Sequence, residues 1–241
     1  MPKAPSTRKA TISRKTPLST SRASANPKDP KASHLYTDDN PSTTIHGTGF
    51  KDRAAALLTL NLIKNRSLTY QFQTVNAMYY RAKHHPSMKK GIEGSAATSG
   101  MREAMEFFRE WRDVTYPAAK AGLRKDGFKP LLSKAVVEEH LLRIEEASGV
   151  EIDAKQFARV YVALGKGKRL GNVLVDDSKP TEADWERRRY DALDLLVSEG
   201  KESGESAWEK GELWGKDGEL TERHLKMLAW AWSPVKESKL T

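Results

Sequence analysis

The stretch "FARVYVALGKGKRLGNVLV" (157–175) decides the fold class, because it satisfies two periodicities at once. Phe157, Val160/Tyr161 and Leu164 recur at helical spacing. Val160, Val162 and Leu164 also alternate as in a half-buried strand, Gly165 and Gly167 supply a turn, and Val173-Leu174-Val175 offers a second apolar run. Alternation on either side of a glycine turn favours a β-hairpin with a basic tip at Lys166, Lys168 and Arg169. The segments around it read as helices. The expected class is therefore mainly α: a helical body with one small β-hairpin and a disordered basic N-terminal tail.

On the C-terminal side, Thr181 is expected to cap a helix over 182–198 with Trp185, Leu193, Leu196 and Val197 inward. Residues 200–220 read as a polar loop pinned by Trp208 and Trp214, and Thr221 caps a helix that Pro234 stops. Trp208, Trp214, Trp230 and Trp232 are expected to form one aromatic layer, as core rather than as a platform for bases. On the N-terminal side, Ser133 opens a helix that buries Val137, Leu141 and Ile144 and ends at Gly149.

Further upstream, "HGTGFKD" (46–52) is a turn whose Asp52 caps a helix running to about Lys64. It lacks the third glycine and the preceding strand of a dinucleotide fingerprint. Ser67 caps the next helix, in which Leu68, Phe72, Val75, Tyr79 and Ala82 follow at spacings of 4, 3, 4 and 3, up to Pro86. Residues 87–100 read as an exposed Gly/Ser/Lys loop, followed by a helix over 101–114. The expected organisation is a tail at 1–43, a body at 44–234 and a C-terminal tail at 235–241. Within the body, 44–116 forms a three-helix unit and 130–234 holds helices plus the hairpin.

The 241 residues include no cysteine, which excludes disulfides, thiolate metal sites and cysteine nucleophiles. No apolar run approaches the roughly 18 residues that span a bilayer, so no membrane partner is expected. The net charge of +9 is unevenly spread. Residues 1–34 hold Lys3, Arg8, Lys9, Arg14, Lys15, Arg22, Lys28 and Lys31 against Asp29, a net +7. They also hold five of the eleven prolines and ten Ser/Thr, a composition that cannot offset its ordering entropy by burial. A polycation of this kind attracts nucleic-acid phosphates without reading sequence. It also fits nuclear import, with cytoplasm or mitochondrion as alternatives; Pro2, Pro5, Pro17 and Pro27 weaken an amphipathic mitochondrial presequence.

The segments "GTGF", "TLNLIK", "YQFQTVNAMYYRAKHHP", "MREAMEFFREW" and "HLKMLAWAWSP", between about Thr44 and Pro234, resemble a family of uncharacterised proteins from filamentous fungi. The resemblance implies that residues 44–234 fold as one cooperative unit. It implies no activity and no catalytic residue.

Candidate chemistry is sparse. His84 and His85 are adjacent on a helix and diverge by about 100°, and His34, His46, His140 and His224 show no ligand spacing, so no metal and no cofactor are expected. Arg81, Lys83, Lys89 and Lys90 form a candidate phosphate-contacting edge, with Gln71 and Asn76 as amides able to pair with adenine edges. Asp176, Asp177 and Lys179 follow an apolar run, as acids and lysine do in metal-dependent nucleases. Acid-x-Lys occurs five times in this chain, which makes that match cheap. The expected function is a non-enzymatic binding or adaptor protein of the nucleus, contacting DNA or RNA phosphates through Lys3, Arg8, Lys9, Arg14, Lys15 and Arg22 with the 81–90 edge assisting. The alternatives are a protein–protein interaction module with an unknown protein partner and a nuclease-like enzyme using Asp176, Asp177 and Lys179.

Overall fold

The computed structural model describes residues 45–89 and 96–240. The expected disordered tail, with its basic residues, and Lys90 lie outside the described residues. The described chain is mainly helical, and no sheet occurs among the described residues.

The first helices form where their caps predict. Helix α1 (Arg53–Ile63) starts at Asp52, whose carboxylate accepts the Ala55 N–H at 2.8 Å. Helix α2 (Leu68–Lys83) starts at Ser67, whose hydroxyl accepts the Tyr70 N–H, and ends ahead of the short helix α3 (Pro86–Lys89). Helix α4 (Ala96–Glu110) begins inside the segment expected to be loop. Gly100 is no breaker there: a Cβ on it would lie 2.7 Å from the Lys51 carbonyl, so glycine lets α4 cross the entrance of α1. Beyond Glu110 the chain widens into a π-turn (Trp111–Thr115) and continues as α5 (Tyr116–Ala121). Pro117 has no N–H to offer the Asp113 carbonyl, and the π-turn directly precedes it. Ile45, Ala56, Ile63, Val75, Met78, Ala104 and Phe108 make the core of this part.

After α5 the chain makes a left-handed turn. Lys125, Asp126, Gly127 and Phe128 all have positive φ, between 44° and 77°. There follow α6 (Lys134–Glu139), α7 (Leu141–Glu146), α8 (Ile152–Ala163), α9 (Trp185–Leu196) and α10 (Glu222–Ala229). The helix expected over 133–149 is split at His140, whose backbone sits at φ −91°, ψ 0° and whose ring meets the Leu240 carbonyl at 2.8 Å.

The hairpin expectation is overturned. Residues 152–163 are helical because Ala154, Phe157, Ala158 and Tyr161 form a stripe that is buried along its length, with Phe157 5.0 Å from Trp230 and 5.9 Å from Trp185. The alternating set is poorer: Val160, Val162 and Leu164 are all only half-buried. The second apolar run yields a single bridge, Leu174 with Asp184, after a 3₁₀ turn at Leu170–Asn172.

Two further expectations change. Asp184, not Thr181, caps α9, accepting the Arg187 N–H at 2.9 Å. The expected C-terminal tail is docked through buried Val235 and Leu240 and through Glu237, which accepts the Ser133 N–H at 2.6 Å. The tryptophans share one core cluster but not one layer: their ring partners are Phe157, Phe128 and His224 rather than one another. Trp230 and Trp232 are buried, so they offer no face to a base.

Candidate anion-binding cleft

Two buried arginines organise the body: Arg66 ties its two core clusters together, and Arg189 works within the larger one. Arg66, in the turn between α1 and α2, is 2% exposed, and Asp184 is fully buried. Arg66 Nε donates to Asp184 Oδ2 at 3.1 Å, and its Nη1 and Nη2 donate to the Pro180 and Gly171 carbonyls at 2.8 and 2.9 Å. Its guanidinium also lies 3.7 Å from the centre of the Tyr70 ring. Asp184 Oδ2 accepts the Ser67 N–H as well, at 2.9 Å, while Oδ1 caps α9. One carboxylate thus ties the starts of α2 and α9 to one cation, and each buried charge is hydrogen-bonded, as burial demands. Gly171 permits this approach: a Cβ there would stand 2.8 Å from the Ser67 hydroxyl.

Arg189, one turn into α9, is 2% exposed and has no carboxylate partner among the described residues. Its guanidinium instead donates to the carbonyls of Trp230 (2.8 Å), Gly127 (3.0 Å) and Phe128 (2.8 Å), with Ala231 at 3.4 Å. Burial pulls its pKa down to about 10, which leaves it charged at neutral pH. Its carbonyl partners lie in or beside left-handed backbone, the 125–128 turn and Ala231 at φ 52°. Left-handed conformation costs a non-glycine residue roughly 1–2 kcal/mol. Arg189 therefore holds strained backbone in place from beneath.

That strained turn forms one wall of a cleft of about 410 Å³, between the starts of α2 and α9, helix α5 and the end of α8. Six basic side chains line it (Lys120, Lys129, Lys168, Arg169, Arg187, Arg189) against the acids Asp126 and Glu186. Both acids are engaged: Asp126 lies 4.0 Å from Lys120, and Glu186 accepts the Thr69 hydroxyl at 2.7 Å. Arg187 pairs with Asp191 at 3.0 Å. Lys129, Lys168 and Arg169 are exposed and have no carboxylate partner among the described residues. Tyr116 and Tyr190 also line the cleft, and each is braced by another ring, Phe72 at 4.4 Å and Phe128 at 5.8 Å. Leu68, Leu123, Leu131, Leu164 and Leu170 complete an apolar floor. The combination suits an anion with a flat apolar part.

The residues singled out by sequence fall elsewhere. Arg81 and Lys83 are exposed near the far end of α2, about 18–21 Å from Thr69 by helical rise. Lys89 ends α3. Gln71 reads no base edge: its Nε2 donates to the Arg66 carbonyl at 2.8 Å and to the Lys64 carbonyl at 3.2 Å. Asp176 is a turn residue, accepting the Ser178 N–H and hydroxyl at 3.0 and 2.6 Å and pairing with Lys179 at 3.1 Å. Those bonds, the Ser178 hydroxyl foremost, lower its pKa to about 2. Asp177 is exposed. Among the described residues no group of three or more Asp, Glu or His is placed to hold a metal ion.

The basic tip at 166–169 was legible in sequence and does reach the cleft, though as a turn after α8 and not as a hairpin. Arg66, Asp184 and Arg189 were missed. Arg189 carried a signal: it stands four residues after Trp185 and four before Leu193, on the buried stripe of α9.

No protein-family model, no curated protein and no solved structure matches this chain. None of the described helices is long and apolar enough to cross a membrane.

Proposed function

We propose that the protein is a non-enzymatic nucleic-acid-binding protein of the nucleus. The basic segment 1–34 supplies most of the attraction to phosphate, and the folded body contributes a smaller cationic contact surface. The observation that carries the reading is the partition of charge. Segment 1–34 concentrates a net +7 of the chain's +9, so an otherwise near-neutral protein has one strongly cationic region. Such a region gains affinity by releasing counterions from the polyanion, without reading sequence. In the body, Lys129, Lys168 and Arg169 support it as cations without carboxylate partners among the described residues, while Arg81 and Lys83 are exposed at the other end of α2.

The test keeps the chain whole. Lys3, Arg8, Lys9, Arg14, Lys15, Arg22, Lys28 and Lys31 are all replaced by Gln, and binding to a single-stranded oligonucleotide is measured by anisotropy across a salt series. For single strands the slope of log K against log salt is about −0.7 per phosphate contact, so losing eight cations should flatten it by about 4–6. An unchanged slope refutes the assignment of the attraction to the leader.

A further inference from the structure

We infer that the cleft between the starts of α2 and α9 is a binding site for one nucleoside phosphate, its base on Tyr116 and its phosphate on Lys168 and Arg169. The inference rests on the reading of the protein as a nucleic-acid binder and assigns the recognition of a single nucleotide to a specific place in the body.

Size comes first. A cleft of about 410 Å³ falls near the lower end of the roughly 300–1,000 Å³ typical of small-ligand sites. It has room for one nucleotide. It is a concave site, not a projecting element, so it cannot enter a groove of duplex DNA. A base reaches it only when unstacked, as in a free nucleotide or a single strand, and single-stranded recognition uses stacking on aromatic rings.

Chemistry comes next. A nucleotide needs an aromatic or apolar surface for the base and cations for the phosphate. Tyr116 packs on Phe72 at 4.4 Å, so its ring is fixed before any ligand arrives. Little ordering cost then falls on binding. Lys168 and Arg169 sit side by side at the rim, exposed and without a carboxylate partner among the described residues. An arginine beside a lysine provides a planar fork for two phosphate oxygens and a point charge for a third.

The site is also built rather than incidental. Its wall is the left-handed turn at 125–128, and a buried arginine is committed to holding that turn through the Gly127 and Phe128 carbonyls. Strained backbone persists only where its surroundings over-determine it, and such segments cluster at ligand sites.

The experiment titrates the full chain by calorimetry with AMP, adenosine, inorganic phosphate, a 5′-phosphorylated adenine tetranucleotide and oleate. AMP is expected to bind at least ten-fold more tightly than adenosine or phosphate alone. The double variant Lys168→Glu/Arg169→Glu should weaken AMP ten-fold or more while changing adenosine by less than two-fold. Tyr116→Leu should weaken AMP and adenosine together, five-fold or more. Both rim residues are exposed, so the double variant leaves the core untouched. In the chain with the eight Gln substitutions in 1–34, a tetranucleotide bound ten-fold more tightly than AMP assigns the site to single strands, and equal affinities assign it to free nucleotides; both outcomes support the inference. Oleate binding without AMP binding overturns it, as does AMP binding that the rim variant leaves unchanged. The leader variant with eight Gln substitutions should keep its AMP affinity. If that variant loses oligonucleotide binding while AMP never binds the parent chain, the nucleotide site fails and the functional reading stands. If AMP binds and the leader variant's salt slope is unaltered, the reverse holds.

Discussion

Removing one carboxylate should cost this protein a large share of its stability. Asp184→Ala deletes the cap of α9, worth about 1 kcal/mol, and strands the Arg66 guanidinium in a site where it is 2% exposed. Breaking a buried pair from one side costs about 3–5 kcal/mol, because the remaining charge is uncompensated. Arg66 keeps its bonds to the Pro180 and Gly171 carbonyls and its place on the Tyr70 ring, which argues for the lower part of that range. The expected loss is therefore about 4 kcal/mol, against a total of about 5–15 kcal/mol for a typical domain. Asp184→Asn preserves a capping oxygen and should lose about 3 kcal/mol. Urea denaturation, followed by tryptophan fluorescence and by circular dichroism, gives the values if the two probes coincide. A double variant, Arg66→Met with Asp184→Ala, should cost about 2–3 kcal/mol less than the sum of the single changes, because the pair acts as one unit. A loss below about 1.5 kcal/mol for Asp184→Ala, or strict additivity in the cycle, would refute the reasoning.

Other outcomes follow from the same structure. Burial drops the His224 pKa to about 4 from the usual 6.5, and its ring nitrogens already meet the Leu213 carbonyl and the Ser233 hydroxyl. The neutral ring is the native form, so its stabilisation of about 3 kcal/mol is complete above pH 6.5 and lost as the pH falls toward 4. Urea midpoints should decline over that window, and His224→Gln should flatten the decline. Arg189→Met leaves the Gly127, Phe128 and Trp230 carbonyls without their donor and should cost about 3 kcal/mol or more by the same denaturation assay. Gly100→Ala forces a Cβ to 2.7 Å from a backbone oxygen and should lower stability by about 1–3 kcal/mol. Asp176 should titrate at about 2 in a carbon NMR series, and Ser178→Ala should move it back toward the ordinary carboxylate range.

The residues that sequence could place are those governed by local rules. Asp52, Ser67 and Thr221 cap the helices they were expected to cap, because a side-chain oxygen reaching an N–H three residues on is a short-range event. The stripe ending in Ala82 lies against the core for the same reason. Tertiary contacts decided the rest. Phe157 and Tyr161 become helical because Trp185 and Trp230 stand on one side of them, and nothing within 157–175 announces those partners. Gly100 reads as a breaker until Lys51 is beside it. The cleft was the least legible feature. Its cations come from 120, 129, 168–169 and 187–189, segments that only the folded chain brings together. Its scaffold depends on Arg66 and Arg189; the spacing of Arg189 from Trp185 and Leu193 hints at burial, but nothing local shows that either arginine serves backbone carbonyls from distant segments.

The most direct measurement compares the affinity of a 5′-phosphorylated tetranucleotide for the parent chain and for the Lys168→Glu/Arg169→Glu chain at about 0.3 M salt, where the leader's attraction is largely screened. The parent should retain binding, and the variant should bind at least ten-fold more weakly. Equal affinities for the two chains at that salt would contradict it.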